Sequence, residues 1–272
     1  YFRLIQVIQG SALVVAGLNI VAMWQMEPRR PDLTSFELSR PTFAQSWRAL
    51  SANPGAHRLL IAVALGTLGF SMQEILLEPY GSEVLAMSVG QTTRLTAIFA
   101  GGMLIAMALS ARYLGRAGEP IRLAAYGAVV GVFAFAAVIM AGAFDSLALF
   151  AAGTLLIGIG NGLFAVGTLT AAMLLAGKAT AGLVIGTWGA VQAMAAGCAI
   201  FLGGALRDMT EALIHSGTIS QHLSGPATPY GAVYHLEIII LFASLVALGP
   251  LVRRLGNDKD QPLTMKLADF PS

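Results

Sequence analysis

Apolar residues in this chain run in long blocks, and the charged residues are gathered between the blocks. Blocks of about 20 apolar residues match the roughly 30 Å hydrocarbon core of a bilayer at 1.5 Å of rise per helical residue. The pattern predicts seven transmembrane helices: Leu4–Met26, Leu59–Leu77, Thr92–Leu114, Ile121–Ala141, Leu147–Ala176, Ala181–Leu206 and Ala232–Leu251. The fold class this implies is an all-α integral membrane protein. Pro28, Pro31, Pro41 and Pro54 punctuate the polar stretch after the first block. Inside that stretch, Thr42–Leu50 places Phe43, Trp47 and Leu50 at helical spacing. A short helix is expected there, either lying on the membrane surface or acting as a linker over one face of the bundle. Asp208–Gly231, with its Ser, Thr, Gly and Pro residues and two histidines, reads as an irregular loop.

Composition removes the soluble alternatives. Of 272 residues, 56% are hydrophobic and 11% charged, whereas a soluble domain carries roughly 25% charged residues. A mean hydropathy of +0.74 is too high for one aqueous globule. A net charge of only +2 gives no case for nucleic acid as a partner. Cys198 is the single cysteine, which excludes an intramolecular disulfide and a cysteine metal cluster. The chain opens on Tyr1 without a signal-peptide pattern, so it is expected to be the carboxy-terminal part of a longer polypeptide.

The basic residues then orient the spans. If the helices alternate, one side holds Arg29, Arg30, Arg40, Arg48, Arg58, Arg112, Arg116, Arg122, Lys178, Arg253, Arg254, Lys259 and Lys266. The other side keeps only Arg3, Arg94 and Arg207. Loops rich in Lys and Arg are the cytoplasmic ones, so the stretch 27–57 and the tail are expected on the cytoplasmic side.

Small residues recur four apart at Gly127/Gly131, Gly158/Gly162, Gly182/Gly186, Ala193/Gly197 and Ala199/Gly203. In lipid, helices associate by close packing over such residues, so these pairs are expected to be packing grooves. Gly158-Ile-Gly-Asn-Gly162 is not a dinucleotide fingerprint, because it lies inside an apolar span with no strand before it.

Ionisable groups at membrane depth are costly and are functional candidates by default. Glu74 and Glu78 lie four apart, on one face of a continuous helix. Counted from Leu59, they sit about 22 and 28 Å along it. Pro79 is expected to end that span, and Arg94 opposite is the expected partner of the two acids, as a ligand-binding or proton site or as a clamp between helices. Tyr80 follows directly. Tyr234-His235-Leu236-Glu237 opens the last span, with Glu237 within about two turns of the interface. Trp188, Gln192, Asn19 and Asn161 are neutral polar groups within spans, able to hydrogen-bond between helices. No Ser/His/Asp set, zinc motif or phosphate loop occurs, so no enzymatic turnover is expected.

Leu76-Leu77-Glu78-Pro79-Tyr80-Gly81, followed by Leu85-Ala86-Met87-Ser88-Val89-Gly90, resembles the signature of PucC/LhaA proteins. These form the bacteriochlorophyll delivery branch of the major facilitator superfamily. Gly186–Ala193 with Gly203–Asp208, and Tyr234–Ile239, resemble further family segments, and Arg112–Gly118 is similar to a worn superfamily loop motif. The resemblance covers essentially the whole chain. It implies a major-facilitator-type helical bundle of twelve spans, of which this chain holds the sixth to twelfth. Residues 1–26 are then the last helix of an amino-terminal lobe and 27–57 the cytoplasmic inter-lobe linker. Residues 58–252 are then a six-helix carboxy-terminal lobe and 253–272 a cytoplasmic tail.

The resemblance also implies an assembly factor for light-harvesting complexes in the bacterial inner membrane. Its cofactor is bacteriochlorophyll or a precursor. Its partners are antenna polypeptides, membrane lipid and pigment-synthesis enzymes. Mg²⁺ in the macrocycle leaves only axial positions, for which Glu78, Glu237 and His235 are candidate ligands alongside Glu74. Trp188 and glycine-lined faces are candidates to receive the ring. A proton-coupled transporter of a small solute, or a structural subunit of a photosynthetic complex, remains the alternative at this stage.

Overall fold

The structure is a computed structural model and describes residues 2–24, 48, 54–175, 181–217 and 225–257. Among these residues there is no strand. The chain divides into two compact units, Tyr1–Arg40 and Pro41–Ser272. The first contains α1 (Phe2–Trp24), with the apolar stretch Ala12–Val21. The second contains α2 (Pro54–Ser71), one 3-10 turn (Met72–Ile75), and α3 (Leu77–Glu83). It continues through α4 (Val89–Leu114), α5 (Pro120–Ala143), α6 (Leu147–Leu175), α7 (Ala181–His215) and α8 (Thr228–Asn257).

Six described helices are long and apolar enough to cross a membrane, against seven read from the sequence. Those six are the second to seventh expected spans, and the chain is a multi-pass all-α membrane protein. The expected surface helix at Thr42–Leu50 lies outside the described residues, apart from Arg48, which is helical.

Two boundaries differ from expectation for physical reasons. Pro79 does not end a helix. It sits in the first turn of α3, where the missing N–H would have had no intrahelical partner anyway. The segment from Asp208 is not a loop until after His215: α7 carries its helix past the apolar block, with Arg207, Asp208 and Glu211 on its last turns. Hydropathy measures the bilayer, and this helix outruns it.

In the second unit α6 is central, packed on α5 and α4, while α8 lies against α5, α2 and α7. Glycine makes these approaches possible. A Cβ on Gly127 would stand 2.5 Å from the Phe164 amide nitrogen and 2.6 Å from the Gly160 carbonyl oxygen. A Cβ on Gly158 would run into the Phe99 carbonyl, and one on Gly102 into that of Leu155. The expected grooves at Gly127/Gly131 and Gly158/Gly162 are therefore real backbone crossings. Gly203 of the Ala199/Gly203 pair packs on Met72, with a would-be Cβ 2.8 Å from its carbonyl oxygen. By contrast Gly182, Gly186 and Gly197 have nothing within 4 Å, so those pairs on α7 do not pack inside this unit.

The space between helices is filled by rings. Phe70 touches Phe135 and Phe164 at centroid separations of 6.3 and 5.9 Å. Tyr80 meets Phe150, Tyr230 and Tyr234 at 5.3, 5.5 and 5.4 Å. Leu241, Ala128 and Ala134 complete this interior.

The glycine crossings generate a direct expectation. Gly158→Ala lowers stability by about 1–3 kcal/mol, because two backbones must separate. Gly186→Ala changes it by less than about 0.5 kcal/mol. Thermal unfolding of both variants in the same detergent is the measurement, and equal shifts would count against the crossing.

Candidate functional site

The interruption between α2 and α3 places the site. After Ser71 the chain tightens into a 3-10 turn, and the Leu76 N–H bonds the Gln73 carbonyl at 2.9 Å. A tightened turn frees backbone groups that a regular helix would pair, and in hydrocarbon they need a partner. Glu237 of α8 supplies one. Its Oε1 accepts the backbone N–H of Gln73 at 2.7 Å, and the carboxyl is 0% exposed. The close approach is permitted by Gly69, whose Cβ would lie 3.3 Å from the Glu237 carbonyl oxygen. One step along, the Ser244 hydroxyl donates to the Ala62 carbonyl at 3.1 Å, a second tie between α8 and α2.

Around this contact three buried polar atoms have no hydrogen-bond partner among the described residues: Glu237 Oε2, Gln73 Oε1 and the Tyr234 hydroxyl. The Gln73 amide nitrogen donates to the Phe70 carbonyl at 3.3 Å. Tyr80 closes the opposite wall, donating its hydroxyl to the Val138 carbonyl at 3.1 Å. The result is a polar pocket of side chains inside an aromatic core, at the one place where a spanning helix breaks.

A second cluster lies beyond the break. The Tyr230 hydroxyl donates to Glu83 Oε2 at 2.6 Å. The Arg207 guanidinium reaches Glu83 at 3.3 Å and Asp208 and Glu211 each at 3.0 Å. It also stands over the Tyr230 ring, 5.3 Å from its centroid. This cluster joins α3, α7 and α8 at one end of the bundle.

The expected Glu–Arg94 clamp is not formed. Glu74 and Glu78 are both exposed, and they do not share a continuous helix because Glu74 lies in the 3-10 turn and Glu78 in α3. Glu78 Oε1 accepts the Thr96 hydroxyl at 3.0 Å, and Arg94 is exposed with no ion pair among the described residues. The role assigned to Arg94 belongs to Arg207, and the paired acid is Glu83. Trp188 donates its indole N–H to Thr168 Oγ1 at 3.3 Å, joining α7 to α6. Gln192 lies one turn further along α7, half-buried. His235 is exposed, and its Nδ1 lies 2.7 Å from the Gly231 carbonyl oxygen.

The sequence reading therefore found Glu237 and Tyr80 but not their surroundings. Gln73 was invisible because its backbone, not its side chain, takes part. Glu83 and Arg207 stand 124 positions apart, and no local pattern links them.

Replacing the Glu237 carboxyl separates its two roles. Glu237→Leu strands the Gln73 N–H and lowers stability by about 1–3 kcal/mol. Glu237→Gln keeps an acceptor oxygen in place and is expected to recover most of that loss. Melting curves of the purified variants decide the point, and identical losses would remove the capping role.

Residues 1–256 match the PUCC protein family. The chain is 46% identical to an uncharacterised protein of the puhA-bchM intergenic region of Rhodobacter capsulatus, across 99% of this chain and 57% of that protein. It is also 46% identical to the protein PucC of Cereibacter sphaeroides, across 92% of this chain and 54% of the relative. The bacteriochlorophyll synthase 44.5 kDa chain of Rhodobacter capsulatus is 28% identical, across 93% of this chain and 58% of its own length. The chain thus spans little more than half the length of these curated relatives. No solved structure matches. A family match over nearly the full length, together with relatives close to half identical, shows that this multi-pass membrane chain belongs to the PucC family.

Proposed function

We propose that this chain acts, without enzymatic turnover, in the assembly of light-harvesting complexes in the inner membrane of a phototrophic bacterium. In this reading it binds bacteriochlorophyll or a precursor and presents it to antenna polypeptides. Family membership supports the setting, and so does the name of the bacteriochlorophyll synthase 44.5 kDa chain among its relatives.

The observation that carries the pigment reading is the state of His235. A carbonyl oxygen only accepts, so the 2.7 Å contact with Gly231 requires the hydrogen on Nδ1. In the neutral ring Nε2 then carries the lone pair, on the exposed surface of α8. Histidines that ligate metals commonly have their other ring nitrogen fixed to a carbonyl in this way.

The surface around the ring suits a flat apolar ligand. Ile239, Phe242 and Val246 continue the same face at helical spacing, and they are 63, 53 and 75% exposed. An outward apolar stripe is ordinary in a membrane helix, but a histidine with a free nitrogen within it is not. When bound, the macrocycle's Mg²⁺ would supply a Lewis-acid centre. His235 would hold it through Nε2, while Gly231 fixes the tautomer and Ile239 and Phe242 offer the floor.

Glu237 and Glu78, two of the other candidate ligands, are placed differently. The Glu237 carboxyl is sealed between α2 and α8, where a macrocycle has no room, and it serves the backbone of Gln73. Glu78 is exposed, with one oxygen held by Thr96.

The test is gentle purification from pigment-producing cells, followed by an absorption spectrum and identification of co-purifying polypeptides. Bacteriochlorophyll and antenna polypeptides are expected with the unaltered chain. His235→Leu is expected to lose most of the pigment, whereas Glu78→Gln retains it. A colourless preparation that exchanges a labelled solute in vesicles would replace this reading with that of a transporter.

A further inference from the structure

At the end of α4, opposite the Arg207 cluster in the expected alternation of spans, a cavity of about 350 Å³ is lined by Leu109, Arg112, Tyr113, Arg116 and Gly118. We propose that this cavity binds the phosphodiester headgroup of an anionic phospholipid, with Arg112 and Arg116 as its charged ligands. The proposal is independent of the pigment reading.

Charge is the first argument. Arg112, on the last turn of α4, and Arg116, in the turn that follows it, both line the cavity. Both are exposed, and neither forms an ion pair among the described residues. The acid nearest in sequence is Glu119, and it is already engaged by Arg122 at 2.6 Å. The cavity therefore carries two guanidinium groups with no acid set against them. Guanidinium presents a planar fork that matches phosphate oxygens two at a time.

The wall is built rather than incidental. After Leu114 the chain closes with the Gly118 N–H on the Tyr113 carbonyl at 3.2 Å and the Ala117 N–H on the Leu114 carbonyl at 3.0 Å. This is the pair of bonds of a Schellman turn, which normally has glycine in the left-handed position. Here that position is Ala117, with φ of 59°. The Tyr113 ring lies directly on Gly118, where a Cβ has no room. Its other side meets Tyr126 edge-on at 6.1 Å. The ring and the turn thus hold Arg112 and Arg116 on a fixed frame.

Depth selects the ligand. α4 crosses the membrane from Val89 to Leu114, so the two arginines emerge at headgroup level, while Leu109 lies one turn inside. A ligand filling this cavity meets cations at the interface and apolar side chains below it. That ordering fits a phospholipid, whose phosphate and acyl chains are stacked the same way. Basic pockets beside transmembrane helices take anionic headgroups by this chemistry. Two arginines snorkelling into water would account for the charge alone, but not for a cavity that they line together with Leu109 and the Tyr113 ring.

The experiment uses the full chain reconstituted in nanodiscs of phosphatidylglycerol and phosphatidylcholine mixed in equal parts. Native mass spectrometry then reads the lipids retained on the protein. Preferential retention of phosphatidylglycerol is expected, with the preference falling roughly five- to thirty-fold in Arg112→Gln/Arg116→Gln. Arg112→Lys/Arg116→Lys should keep part of it, and Arg122→Gln, whose charge is committed to Glu119, should keep nearly all. Circular dichroism of each variant reports whether the fold is intact, and the charge-keeping lysine pair still reads the site if the glutamine pair fails to fold. Equal retention of the two lipids by the unaltered chain overturns the proposal. So does loss of the lipid preference in millimolar inorganic phosphate at constant ionic strength, which would point to a soluble phosphate instead.

Discussion

Where a membrane helix tightens into a buried 3-10 turn its freed backbone groups must be paired, and here one buried carboxyl group does this. Gln73 is buried at the turn Met72–Ile75, and an unpaired amide there costs about as much as a lost buried hydrogen bond. Glu237 meets the Gln73 N–H from a helix that is remote in sequence. Much of the bundle is arranged to let that happen. Gly69 and Gly203 remove side chains where α8 and α7 press on the break, and Phe70 before it and Tyr80 after it anchor the two flanking segments in the ring core.

Rigid crossings and a broken helix serve different ends in this unit. The α5–α6 and α4–α6 contacts bring backbone onto backbone at Gly127, Gly160, Gly102 and Gly158. Such contacts tolerate almost no change of spacing. The break, by contrast, is held by side chains: the Glu237 carboxyl on the Gln73 N–H, the Tyr80 hydroxyl on the Val138 carbonyl, and the rings packed about Phe70 and Tyr80. The outward faces carry the groups left free by that arrangement: His235 on α8 and the two arginines at the end of α4.

The spans were legible in the sequence because the bilayer imposes one length on every apolar block. Leu147–Leu175 and Pro120–Ala143 fall within a residue or two of the blocks that predicted them. α7 was read short because its last turns bear Arg207, Asp208 and Glu211, and hydropathy stops where water begins although helical hydrogen bonding does not. Glu237 stood out as an acid in an apolar block, so its importance was legible while its partner was not. Glu74 and Glu78 were placed on one helix face by a count that assumed an unbroken helix. The 3-10 turn cancels that count, and no residue in Met72-Gln-Glu-Ile75 announces it. Pro79 misled for a related reason: the same ring that terminates a helix from within is welcome in its first turn.

The distance in sequence between the two ends of the capping bond has a consequence for how the protein is made. Gln73 and Glu237 are 164 positions apart, so the break is threaded into the membrane long before its cap has left the ribosome. During that interval α2 and α3 cannot hold their final angle, and the growing chain carries an unfinished joint. Insertion of α8 is the step that completes this joint, because only then does Glu237 reach the Gln73 N–H.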